Sequence, residues 1–106
     1  MRILYVTAKD QDQALSIGRR LVEERLAACI NVLPAMTSVY WWEGQLEQAQ
    51  EAVLLIKTED HLVDAATAAV RRLHSYDTPC VLALPVVGGN PAYLAWLRSV
   101  LPEIGE

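Results

Sequence analysis

Two stretches rich in Val, Ile, Leu, Thr, Tyr and Trp, Cys29 to Trp42 and about Gln45 to Lys57, meet at a single turn signal, Glu43-Gly44. Glycine takes positive φ without steric cost, so the pattern predicts a β-hairpin. In the return strand Ala52, Leu54 and Ile56 share one face, and Val53 and Leu55 the other. Strands commonly run about 5–6 residues, so this hairpin is unusually long. Pro34 cannot donate to a ladder and marks a bulge or an unpaired edge. An antiparallel pair in mid-chain argues against a flavodoxin-like parallel sheet, which needs a helix in that place.

The flanks complete the pattern. Ile3 to Val6 is a short apolar run, read as a buried strand. Asp10 stands three residues before Gln13, a capping-box-like start. Ala14, Ile17 and Leu21 then recur at helical spacing, flanked by Leu15, Gly18, Val22 and Leu26, with Arg19, Arg20, Glu23, Glu24 and Arg25 opposite. This predicts a first helix over Gln11 to Ala28. After the hairpin Thr58 is a candidate cap, with Glu59 and Asp60 favoured by the helix dipole. Leu62, Ala65, Ala66, Ala69, Val70 and Leu73 predict a second helix with a small-residue core face. His74 to Pro79 reads as a loop and Cys80 to Val87 as a strand. Asn90-Pro91 opens a third helix, striped by Leu94, Leu97 and Leu101. The order β-α-β-β-α-β plus a C-terminal helix implies an α+β, ferredoxin-like sandwich, with residues 1–106 as one domain.

Charge and composition narrow the function. Nine basic against thirteen acidic residues give a net charge of −4, the wrong sign for a phosphate-binding surface, so nucleic acid is not an expected partner. No apolar run approaches the roughly 18 residues of a membrane span, and the N-terminus lacks a signal-peptide core. Two cysteines, Cys29 and Cys80, make no disulfide framework, which predicts a reduced, cytoplasmic protein. Apolar residues make up 53% of a chain of only 106 residues. Such small domains often complete their burial in an oligomer.

The fold hosts many functions, so particular residues must decide. There is no Walker loop and no Gly-x-Ser-x-Gly elbow, and no nucleophile–base pair can be placed. Tyr40-Trp41-Trp42 cannot all face one core, because side chains alternate along a strand. At a hairpin tip they read as an interface, the alternative being one ring capping the core and the others part-exposed. The segment His74 to Cys80 holds the densest polar set. His74 and Cys80 would suit Cu(I) or Zn(II), with Asp77 as an oxygen ligand. The competing reading makes His74 a helix C-terminal residue and Cys80 a small buried apolar group. Cys29 reads as core and His61 as solvated.

Several runs resemble the CutA divalent-cation-tolerance family. They are Glu24-Arg25-Leu26-Ala27-Ala28-Cys29-Ile30-Asn31-Val32-Leu33-Pro34, Thr37-Ser38-Val39-Tyr40-Trp41-Trp42-Glu43-Gly44 and Leu55-Ile56-Lys57-Thr58. A His-x-Tyr-x-x-Pro pattern falls on His74, Tyr76 and Pro79, and Tyr93-Leu94-Ala95-Trp96-Leu97 also matches. The resemblance implies a ferredoxin-like subunit in a tight homotrimer built through the hairpins, with Tyr40, Trp41 and Trp42 at the interface, and similar in shape to PII signalling proteins. It implies a role in tolerance to copper and other divalent cations, with no catalytic reaction and no required cofactor beyond such an ion. The family often has Pro-Glu where this chain has Pro79-Cys80, which makes any site here softer. The alternative is a PII-like signalling trimer sensing a small ligand in inter-subunit clefts, with Lys57, His74, Tyr76 and Trp96 as candidates.

Overall fold

A computed structural model describes residues 1–104. Strand β1 (Arg2–Ala8) leads to helix α1 (Gln11–Glu23), then to the hairpin strands β2 (Cys29–Trp42) and β3 (Gln45–Thr58). A 3-10 turn (Asp60–Leu62) precedes α2 (Val63–Leu73), followed by β4 (Val81–Pro85) and α3 (Pro91–Ser99). The four strands form one antiparallel sheet in the order β2-β3-β1-β4. This is the expected split βαβ arrangement. Among the described residues no helix is long and apolar enough to cross a membrane.

One face of the sheet carries the core. Leu4, Val6 and Ala8 of β1 and Ala52, Leu54 and Ile56 of β3 are fully buried against Ala14, Ile17 and Leu21 of α1 and Ala66, Ala69 and Val70 of α2. Each large aliphatic side chain so buried contributes about 1.5–3 kcal/mol. Gly18 lets α1 lie close: a Cβ there would sit 2.8 Å from Leu54 Cδ1 and 2.9 Å from Ile30 Cδ1. A second cluster, Leu62, Leu97 and Leu101, seats α3 against Met1, Leu26 and Ala28.

Among the described residues the opposite face is open apart from its Lys57 end, where Tyr93 near the C-terminus meets Lys57 Nζ at 3.2 Å. Pairing places Ile3 beside Lys57 and Leu84, Tyr5 beside Leu55 and Leu82, and Thr7 beside Val53. Leu82 and Leu84 are exposed there. The hairpin also overruns its own subunit, giving extents of 44 × 27 × 23 Å and a radius of gyration of 14.5 Å, against about 13 Å for a compact domain of this length. Glu43 and Gly44, at φ 50° and 77°, form the two-residue turn that joins Trp42 to Gln45.

Four expectations need correction. Helix α1 ends at Glu23, not Ala28, because Arg25 adopts φ 60°. Leu26 N–H then donates to Leu21 O at 2.9 Å and Arg25 N–H to Val22 O at 3.1 Å. That pair of bonds is a Schellman stop, usually built on glycine. Thr58 is not a helix cap. It ends β3, and its buried hydroxyl donates to Leu26 O at 2.8 Å. Ala65 is exposed: at about 100° per residue it falls outside the arc that Ala66, Ala69 and Val70 bury. Strand β4 is shorter than Cys80 to Val87: past the pair Arg2–Pro85 only one bond follows, from Val86 N–H to Met1 O at 3.2 Å, and Val87 stands in solvent.

Candidate functional site

The segment after α2 is anchored by His74. Its ring is only 9% exposed. Nδ1 accepts from Tyr76 N–H at 3.1 Å, which places the proton on Nε2, and Nε2–H donates to Thr7 O at 2.7 Å. His74 also lies against the Tyr76 ring, with centroids 4.6 Å apart. Both nitrogens of the neutral ring are therefore engaged within the chain. The imidazole fastens the α2–β4 connection to the end of β1.

Tyr76, so placed, reaches across to the hairpin and donates its hydroxyl to Glu51 Oε2 at 2.8 Å. Burial, the bond to Glu51 and the charge of Glu51 push the Tyr76 phenol up to about 12. The Cys80 thiol is also raised, first by burial and then by the Glu51 charge, with bonds to Thr7 acting in the opposite sense. Both groups are thus protonated at neutral pH.

Between this connection and the hairpin lies an open cavity of about 500 Å³. Thr7, Ser38, Tyr40, Trp42, Glu51, Tyr76, Asp77, Thr78 and Cys80 line it. The Pro34 bulge explains why the hairpin aromatics are there. Leu33 pairs with Val53 and Met36 with Glu51, so Pro34 and Ala35 together oppose Ala52 alone. One extra residue reverses the alternation of β2. Beyond it, Ser38, Tyr40 and Trp42 share a face with Glu51, while Val39 and Trp41 point to the other side. Trp41 is 73% exposed and Trp42 52%.

The metal candidates separate accordingly. Cys80 and Asp77 both line the cavity, and His74 does not. Among the described residues no group of three or more His, Cys, Asp or Glu side chains is placed to hold a metal ion. The cleft candidates also divide. Tyr76 lines this cavity, whereas Lys57 lines a second one of about 320 Å³ with Arg2, Gly88, Asn90 and Tyr93. Glu51 and Lys57 stand six positions apart on β3, about 20 Å of strand. Lys57 Nζ lies 3.2 Å from the Tyr93 hydroxyl and 5.3 Å from that ring's centroid, and Trp96 packs on Tyr93 at 5.6 Å. Cys29 is half-buried at the start of β2 rather than core, and His61 meets Pro102 O at 2.9 Å. Sequence reasoning missed Glu51, whose role depends on the β2 register, and Tyr93, part of a matched run but not singled out.

Sheet order, overlong hairpin and a cavity along the hairpin define a ferredoxin-like α+β domain with an extended β2–β3 arm. Comparison with known proteins gives the particular family. Residues 2–100 match the CutA1 divalent ion tolerance protein family, and the chain belongs to it. The divalent-cation tolerance protein CutA of Thermus thermophilus is 43% identical over 97 residues, covering 92% of this chain and 94% of that protein. The chloroplastic CutA 1 of Oryza sativa is 43% identical over 101 residues, 95% of this chain. The chain spans a little over half the length of that plant protein and of mouse CutA, 57% and 58%. The crystal structure of Oryza sativa CutA1 superposes with a TM-score of 0.93 at 42% identity, covering 97% of this chain and 94% of that one. The Archaeoglobus fulgidus structure, described as a periplasmic divalent cation tolerance protein, gives 0.90 at 35% identity, covering 93% and 96%. The Thermus and Archaeoglobus relatives are named as divalent cation tolerance proteins.

Proposed function

We propose that this chain serves divalent-cation tolerance as a cytoplasmic, non-catalytic homotrimer that takes up copper or a similar ion. Membership of the CutA1 family over residues 2–100 is the observation that carries the reading. The uncovered sheet face and the projecting hairpin, with Tyr40, Trp41 and Trp42 near its tip, support assembly. The two free thiols suit a reducing compartment. For metal uptake, Cys80 and Asp77 supply a soft and a hard donor in one cavity. His74 joins them only by releasing the Tyr76 N–H, so the ion must compete with an existing hydrogen bond.

Titration of reduced protein with Cu(I) tests this. Cys80→Ser should lower affinity by about tenfold, on the order of 1.4 kcal/mol, and Cys29→Ser should leave it unchanged. Binding should weaken as pH falls, because a thiolate must form. Unaltered copper affinity in Cys80→Ser would remove Cys80 from the reading.

One observation favours a second reading, a PII-like signalling trimer that senses a small ligand. The cavity of about 500 Å³ falls within the roughly 300–1,000 Å³ of small-molecule sites. Three aromatic rings among its walls offer more to an organic molecule than to a bare ion.

A further inference from the structure

The cavity between hairpin and α2–β4 connection has walls of one charge sign. Its acidic residues are Glu51 and Asp77, and among the described residues neither Lys, Arg nor His lines it. The remaining walls include the rings of Tyr40, Trp42 and Tyr76. Aromatic faces carry negative quadrupole potential and attract cations, most strongly alkylated ammonium groups that shed water easily.

We propose that this cavity binds a small organic cation of the alkylammonium class, held by the Tyr40, Trp42 and Tyr76 rings with Glu51 and Asp77 supplying the counter-charge. This rests on the small-ligand reading of the same cavity and names the ligand's chemistry.

Two features distinguish this ligand from other cations. A divalent metal ion seeks four or more N, O or S donors in a tight shell, and no group of three such side chains is assembled among the described residues. A guanidinium prefers a carboxylate with both oxygens free for a parallel fork. One Glu51 oxygen is already occupied by the Tyr76 hydroxyl at 2.8 Å. What remains on Glu51 is a single oxygen beside aromatic surface, which suits a rounded ammonium, with the Asp77 carboxylate adding to the counter-charge. The Tyr76–Glu51 bond itself fixes ring and carboxylate relative to each other before any ligand arrives.

Calorimetric titration of the full chain with choline tests the proposal. The controls are its neutral carbon isostere, 3,3-dimethylbutan-1-ol, and the anion 3,3-dimethylbutanoate. Choline should bind at least tenfold more tightly than either. Glu51→Gln keeps an acceptor for Tyr76 but loses the charge, and should weaken choline binding by roughly tenfold while leaving the alcohol unaffected. Trp42→Phe, titrated at the parent's oligomer size as checked by light scattering, should weaken choline about threefold. Equal affinity for choline and the alcohol, or full choline affinity in Glu51→Gln, overturns the cation assignment while leaving a small-ligand cavity. If none of the three probes binds, the small-ligand reading falls with it.

Discussion

Tyr76 shows how much one side chain can organise. Its backbone N–H fixes the His74 tautomer, its ring covers the imidazole, and its hydroxyl ties the connection to Glu51 on the hairpin. The phenol is raised from the ordinary value of 10.0 to about 12. Folding therefore favours the protonated form. The contribution is fully present below the unfolded value, near 10, and is lost as pH rises through about 12. The difference in alkaline absorbance titration between parent and Tyr76→Phe should accordingly show a midpoint near 12. Glu51→Gln removes the neighbouring charge and should move that midpoint down towards 10. A Tyr76 midpoint already near 10 in the parent would mean that neither the burial of the phenol nor its Glu51 bond persists in solution.

At the scale of elements, Gly18 sets the distance between α1 and the sheet. A methyl group there meets Leu54 and Ile30 side-chain atoms closer than 3.0 Å, and Leu54 is fully buried in the core. Gly18→Ala should therefore destabilise by about 1–3 kcal/mol despite alanine's better helix propensity. Denaturant unfolding measures this, and a variant as stable as the parent would show that the interface relaxes freely. The elements themselves were largely legible. Periodicity located the strands and helices, the hairpin turn fell on Glu43-Gly44, and Asn90 caps α3 by accepting from Ala92 N–H at 3.1 Å. What escaped has specific causes. The end of α1 rests on Arg25 in a left-handed conformation, which residue type does not announce. Pro34 was recognised as a bulge or an edge, yet only the pairing of Leu33 and Met36 with β3 shows that the bulge turns Tyr40 and Trp42 toward Glu51. The site was therefore half visible. Tyr76, Asp77 and Cys80 stood together in sequence, whereas Glu51 joins them through long-range register. His74 was found but does something different, because its lone pair is spent inside the chain.

For the whole molecule the decisive feature is apolar surface without a second layer. Leu82 and Leu84 on β4 and Leu33 on β2 lie exposed on the sheet face opposite the helices, and Val39, Trp41 and Leu46 lie exposed on the hairpin's other side. A monomeric domain seldom leaves so many large apolar side chains on two adjoining surfaces. Edge strands β2 and β4 also offer unpaired backbone groups. Association of identical subunits around a closed axis would cover both surfaces at once, and the family resemblance supplies the number three. Light scattering at micromolar concentration should give about three times the chain mass of 11.8 kDa. Folding and assembly would then be one equilibrium, so the melting temperature should rise with protein concentration. Trp41 faces away from the cavity, so Trp41→Ala should weaken assembly by roughly 2–4 kcal/mol without altering choline affinity per subunit. A monomer with a concentration-independent melting temperature would show that these surfaces serve another partner.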